Sequence, residues 1–206
     1  MVSVRSRSDE EKELRQQHIL EAAIAEFDAN GYEKTSMGAI AKRAGLSRTL
    51  VNFYFGDKQG VHAAIEMHAL IQLTKMFKAA VDKKTLGIEK LVAIGRAYIR
   101  FHKGYPGYFE ALARADDNVA NPDLNQPSRS ATDVIDAAID TGLKDGSVSH
   151  NFEDTTMASL ALWATAHGFV VIATNKAPIL KAHWGRSAAS VLKSLDTLIL
   201  SAYASD

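Results

Sequence analysis

The stretch SRTLVNFYFGDK (47–58), preceded by AKRAGL (41–46), decides the fold. Gly45 reads as a helix stop, because glycine takes the left-handed conformation that closes a helix without steric cost. Ser47, two residues on, reads as a helix start, since its hydroxyl accepts one of the backbone N–H groups that a first turn leaves unpaired. The helix that follows mixes Arg48, Thr49 and Asn52 with Leu50, Val51, Phe53, Tyr54 and Phe55. Such a mixture suits a helix that packs on its neighbours and also presents polar side chains outward.

Upstream, a short helix begins after Thr35-Ser36 and runs through Ile40 and Ala41 to Ala44. A longer helix precedes it, opening with Ser8 and, three residues later, Glu11, a pair that reciprocally satisfies free backbone N–H groups. Asp9 and Glu10 add negative charge at the positive end of its dipole, so the run DEEKE is a solvated helix start. Its buried stripe is Leu20, Ala23, Ile24 and Phe27, with Ile19 at the margin, and Asn30-Gly31 ends it. Two short helices joined by a glycine turn and packed on a longer one make a helix-turn-helix. Its second helix enters the major groove of DNA, with Leu50 or Val51 as anchor and Arg48, Thr49 and Asn52 facing outward.

Composition narrows the alternatives. A chain of 206 residues carries a sizeable core, as one large domain or two small ones. Its 24 Lys+Arg balance 24 Asp+Glu, so affinity for a polyanion has to be local. Over residues 31–60, Lys34, Lys42, Arg43, Arg48 and Lys58 face only Glu33 and Asp57. Arg5 and Arg7 are either a flexible basic arm, reaching phosphates or a minor groove, or ordinary solvated surface. The absence of cysteine excludes disulfides and thiolate metal sites. No signal peptide and no membrane span are read, and the expectation is a soluble, intracellular, cytoplasmic protein.

The segment GYEKTSMGAIAKRAGLSRTLVNFYFGDKQGV (31–61) resembles the DNA-binding domain of TetR-type (tetracycline-repressor-like) transcriptional regulators. The resemblance covers residues 10–65 through an ordered series: "GY" after helix one, Thr/Ser before helix two, "IAKRAG", the recognition helix, and "YF" followed by "K". It implies that Ser36 caps helix two against a phosphate, that Ser47, Arg48 and Thr49 open the recognition helix, and that Lys58 holds a phosphate. Each role fits its chemistry, since helix N-termini and lysines both suit anions. Arg48 can instead contact guanine. The chain departs from the family pattern at Leu50, Asn52 and Phe53. Asn52 suits adenine, and Phe53 or Leu50 suits a thymine methyl, with packing as the other reading of Phe53. Tyr54 and Phe55 are read as core.

The rest of the chain reads as helical, giving an all-α protein with the division 1–60 and 61–206. A fourth helix from Asp57 carries Val61, Ala64 or Ile65, His68, Ile71 or Leu70, and Met76 along its inner side; the resemblance makes it the link between the domains. Further helices hold Leu91, Ile94, Tyr98 and Phe101; Phe109 and Leu112 after Pro106; and Ile135, Ala138, Ile139 and Gly142. The polar run DDNVANPDLNQPS (116–128) reads as the longest loop. Two apolar helices follow, over 152–174 and 187–204. Ala164 and Gly168 let a neighbouring backbone approach, and Leu192, Leu195 and Ile199 form part of a wide stripe. The resemblance makes these two helices the interface of a homodimer. LWATAHGF (162–169) also resembles a "W…HG" pattern of one group of the family. Tyr98, Phe101, Tyr105, Phe109, Trp163 and His167 are candidate walls of a small-molecule pocket, each also readable as core, with His167 a pocket ligand, an interface group or a core histidine.

Two rival functions stand beside this one. His62 and Glu66, four apart, with His68 near, raise an all-α metalloprotein or enzyme, but the paired Glu-x-x-His pattern, G-x-S-x-G and a glycine-rich phosphate loop are all missing, and a solvated helix surface explains the pair. A helical protein-binding module is the other; DNA affinity that falls steeply with salt excludes it. The expectation is a non-enzymatic, ligand-responsive homodimeric repressor that needs no cofactor or metal. It binds a palindromic operator in double-stranded DNA and is released by a largely apolar effector.

Overall fold

The computed structural model describes residues 4–113, 122–149, 152 and 154–205, with backbone alone for 4–9 and 122–128. Among these described residues ten helices follow in order: α1 (Val4–Asn30), α2 (Met37–Arg43), α3 (Arg48–Phe55), α4 (Lys58–Val81), α5 (Gly87–Gly104), α6 (Pro106–Ala113), α7 (Pro122–Asp145), α8 (Thr155–Asn175), α9 (Ala177–Trp184) and α10 (Ala188–Tyr203). Among the described residues there is no strand, only a single antiparallel bridge between Val148 and Ala204. The protein is all-α, as its periodicity predicts. It divides into two compact units, Met1–Ala69 with Gly107–Leu124, and Leu70–Pro106 with Asn125–Asp206.

The first unit is a helix-turn-helix on a long support. Ile19, Leu20 and Ala23 of α1, Met37, Ile40 and Ala41 of α2, Val51 of α3, and Val61 and Ile65 of α4 form its core, joined by Ala111 of α6. Ile19 is fully buried rather than marginal, while Ile24 and Phe27 are only partly covered. Helix α1 extends from Val4, so the expected flexible arm is helical backbone and Ser8 lies inside the helix rather than capping it. Nothing between residues 4 and 30 is glycine or proline, and the charged residues there are good helix formers that let the helix run on. Gly31, at φ +79°, ends it.

In the second unit α10 packs on α5 and α8. Gly95 makes the α5–α10 contact possible: a Cβ there would lie 2.7 Å from the Cδ1 of Ile199. Helices α5 and α7 approach closer still, since a Cβ on Gly87 would lie 2.1 Å from the Gly142 nitrogen. The start of α5 has no cap of its own. Instead Asp145 accepts the Gly87 N–H at 2.9 Å and the Ser147 hydroxyl accepts the Ile88 N–H at 3.1 Å. Tyr203 seals the C-terminal turn, donating to the Ala158 carbonyl at 2.7 Å and stacking on Phe152.

Three further expectations are corrected. The buried line of α4 is Val61, Ile65 and Ala69 in the first unit and Leu73 and Phe77 in the second, whereas His68 and Ile71 are exposed. Apolar residues lie on every side of this helix, so its sequence leaves the phase of the buried line open. From Pro122 the expected loop is helix, because proline is preorganised for the first position of a helix; residues 116–121 fall outside the described residues. Helix α9 is additional, opening with Pro178 in its first turn and closing on Gly185 at φ +61°.

Two expected outcomes test the second unit. Gly87→Ala forces the α5 and α7 backbones apart and should cost about 1–3 kcal/mol in chemical denaturation. Hydrogen bonds from Ser147 and from the Gly87 N–H hold the Asp145 carboxyl below its ordinary value of 3.8. A depressed folded-state value contributes stability that is present above the unfolded value and lost as pH falls through the folded one. Asp145→Ala should therefore lower the thermal midpoint at pH ~7, and the gap to the parent should narrow as pH falls below the ordinary aspartate value of 3.8.

Candidate nucleic-acid interface

Helices α2 and α3 each begin on a serine cap. Ser36 accepts the Ala39 N–H at 3.2 Å and Ser47 accepts the Leu50 N–H at 3.1 Å. Each cap uses a lone pair, so each hydroxyl proton is still available to donate to an acceptor such as a phosphate oxygen. Between the helices Gly45 adopts φ +64° and the Leu46 N–H returns to the Ala41 carbonyl at 2.9 Å. Of the eight residues of α3 only Val51 is buried. It is the anchor, with Leu50 half-buried, and Arg48, Thr49, Asn52 and Phe53 stand in solvent. The packing reading of Phe53 fails, because the side chain is 78% exposed. Tyr54 and Phe55 are partly buried against the core.

Lys58 opens α4. Its Nζ donates to the Tyr32 carbonyl at 2.9 Å and the Glu33 carbonyl at 3.3 Å, and lies 4.2 Å from the centre of the Tyr32 ring. Two of its three N–H donors are thus directed at the turn after α1. Arg43 is likewise engaged, pairing with Glu26 at 2.6 Å, while Asn30 donates to the second oxygen of Glu26 at 2.9 Å. The local excess of positive charge is smaller than a count over residues 31–60 suggests, because Glu26 lies outside that window. His18 reaches the Ala44 carbonyl at 3.0 Å and ties the end of α2 to α1. Glu26 and His18 carried no signal in the sequence beyond their places on α1.

His62 and Glu66 are not a solvated surface. They are 8% and 1% exposed, with Nδ1 and Oε1 3.3 Å apart. The His62 ring sits edge-on to Tyr32 at 5.1 Å, and Phe27 lies 5.2 Å from Tyr32, so three rings brace the end of α1 against α4. Beside them opens a cleft of about 320 Å³, whose lining includes Asp28, Gly31 and Glu110. Among the described residues no group of three His, Cys, Asp or Glu side chains is placed to hold a metal.

The candidate effector residues divide between the units. Phe109, on α6, belongs to the first and is buried there. In the second unit the Tyr98 hydroxyl meets His167 Nδ1 at 2.8 Å and also hydrogen-bonds the Trp163 side chain. The indole is a donor only, so Tyr98 accepts from Trp163 and donates to Nδ1, which leaves the His167 proton on Nε2. Burial pushes the Tyr98 phenol up to about 12 and lowers His167, so both are uncharged at neutral pH. Phe101 is fully buried with its ring 5.7 Å from Tyr105, whose hydroxyl accepts from Gln72 at 3.0 Å.

Of the candidate interface residues, Leu195 and Ile199 lie inside the protomer beneath Gly95 and offer nothing to a partner. Ala164 is exposed, Leu192 is half-buried, and the space in front of Gly168 is open. The outward apolar side chains are Met157, Leu160, Trp163 and Ile172 on α8, and Leu198 and Leu200 on α10. Helix α8 is apolar and long enough to cross a membrane by length and composition, and it packs on α5 and α10.

Residues 19–65 match the family described as bacterial regulatory proteins of the tetR family, and residues 91–195 match the tetracyclin repressor-like C-terminal domain. Curated relatives include the HTH-type transcriptional regulator BetI of Burkholderia mallei, 31% identical over 86 residues, or 40% of this chain and 44% of the relative. BetI of Paraburkholderia xenovorans is 34% identical over 62 residues, 30% of this chain and 32% of the relative. The chain thus spans less than half the length of these relatives. Among solved structures, the fatty acid degradation regulator FadR of Bacillus halodurans superposes with a TM-score of 0.75 at 17% identity, covering 90% of this chain and 94% of that one. PfmR of Thermus thermophilus gives 0.71 at 21% identity, covering 89% and 97%. FadR of Bacillus subtilis, solved with stearoyl-CoA, gives 0.74 at 17% identity, covering 90% and 97%. These likenesses establish the fold, and the matched families and relatives are regulators, not enzymes. Carrying both of the family's segments, its helix-turn-helix and its C-terminal domain, this chain belongs to the TetR family of bacterial transcriptional regulators.

Proposed function

We propose that the protein is a homodimeric repressor of the cytoplasm that binds a palindromic operator and is released by a small-molecule effector. In this reading residues 1–60 read DNA and residues 61–206 bind the effector and the second protomer. The observation that carries it is α3, held by Val51 and a serine cap and presenting Arg48, Thr49, Asn52 and Phe53 together to solvent. Arg48 suits guanine and Asn52 adenine, each through paired hydrogen bonds. Ser36, with its hydroxyl proton to spare, and Lys58, with one N–H remaining, set the register on phosphates.

Tyr98, Trp163 and His167 supply a polar anchor among rings in the second unit, with Phe101 and Tyr105 close by, and this favours a largely apolar effector with one hydrogen-bonding group. The stearoyl-CoA with which FadR of Bacillus subtilis was solved carries a long apolar chain that suits such walls, joined to a polar coenzyme A. Phe109 belongs to the first unit and is no part of this anchor. The homodimer is assigned to the outward faces of α8 and α10, where Ala164 and Gly168 allow close approach and Leu160, Ile172 and Leu198 supply apolar area. A two-fold dimer reads half-sites about 34–36 Å apart. An effector that binds better when that spacing is wrong shifts the population away from DNA.

Selection of duplexes from a random pool by the purified protein, at two salt concentrations, tests the reading. A palindrome should be enriched, and retention that merely vanishes with salt, with no sequence recovered, refutes it. Arg48→Ala should cost about 1–3 kcal/mol on the recovered operator and little on unrelated DNA. Lys58→Ala should weaken both alike and also lower the thermal midpoint, because the turn carbonyls lose their donor. Leu160→Glu with Leu198→Glu should give monomers in sedimentation while the fold persists. By contrast, Ile199→Ala should cost about 2–5 kcal/mol of stability, as a core truncation does, without a selective loss of the dimer.

A further inference from the structure

Helix α3 presents two kinds of exposed surface. Arg48 and Asn52 are four residues apart and lie on one side, and Thr49 and Phe53, also four apart, lie on the adjacent side. The first pair donates and accepts hydrogen bonds. The second offers a methyl group and a phenyl ring that carries no hydrogen-bonding atom at all. A phenylalanine 78% exposed on a helix of eight residues costs solubility and contributes nothing to the core. It is nevertheless held in place: the Phe53 and Tyr54 rings meet edge to face at 5.5 Å, and Tyr54 packs on the core that holds Val51. The ring is therefore a supported apolar projection on the same turns as the residues suited to reading bases.

Within a major groove the apolar feature available to such a ring is the C5-methyl group of thymine. Phosphates and the polar base edges require a donor or an acceptor, which phenyl lacks. We propose that Phe53, flanked by the Thr49 methyl, is a specificity-determining residue that reads a thymine methyl in each operator half-site, next to the purines contacted by Arg48 and Asn52. The assignment deepens the operator-binding reading above and rests on it.

The test uses the operator recovered by selection, with each thymine replaced in turn by deoxyuridine, which deletes the methyl and leaves every hydrogen bond in place. The parent protein should lose about fourfold in affinity for each contacted methyl removed, the equivalent of one buried methylene-sized group. Phe53→Ala should bind the thymine operator correspondingly more weakly and should no longer distinguish it from the deoxyuridine operator at that position. Thermal unfolding should be unchanged in this variant, since the side chain is exposed. If the operator is bound specifically but no deoxyuridine substitution alters affinity, or if Phe53→Ala still discriminates the same position, the methyl-reading role is overturned and the operator reading survives. If no operator is recovered at all, both fall together.

Discussion

A helix of eight residues does not persist in water, because nucleating its first turn costs more than so few hydrogen bonds return. Helix α3 exists because Val51 is buried in the core that α1, α2 and α4 build, and because Ser47 and Gly56 close its ends. That single buried side chain fixes the rotation of the helix about its own axis. With Val51 pointing inward, Arg48, Thr49, Asn52 and Phe53 have to point outward, and the chemistry offered to DNA follows from the geometry of one valine.

The support beneath α3 relies on polar joints as well as apolar packing. Glu26 gathers Arg43 and Asn30, His18 holds the end of α2, Lys58 closes the turn after α1, and His62 lies buried with Glu66 among rings. Such joints are directional, and a buried ionisable group is costly unless its partners are in place. The helix-turn-helix is therefore held in one register, where a purely greasy interface would permit several. Basic residues that add to the local positive charge in the sequence, Arg43 and Lys58 among them, are partly spent on this internal fastening.

What was legible beforehand was what local rules decide. Serine caps, glycine stops and apolar spacing marked α2 and α3 and the helical character of the remainder, and the ordered motif from Gly31 to Val61 carried the family. What was not legible depends on the third dimension. Leu195 and Ile199 share a stripe with Leu198, and only the approach of α5 at Gly95 decides that the first two face inward. The burial of His62 and Glu66 depends on where Phe27 and Tyr32 come to lie, and the phase of α4 is ambiguous because apolar residues surround it. Helix α9 could have been found from Pro178 and Gly185, since both ends carry the usual signals.

The contact between Gly87 and Gly142 sets a mechanical condition on the second unit. Packed helices slide past one another by repacking the side chains interleaved between them. Where two backbones touch, no such layer exists. The start of α5 is also stapled to the end of α7 through Asp145 and Ser147. These two ends consequently travel as one stiff corner, and any displacement that a bound molecule drives through this unit has to be taken up at other seams, where side chains can trade places.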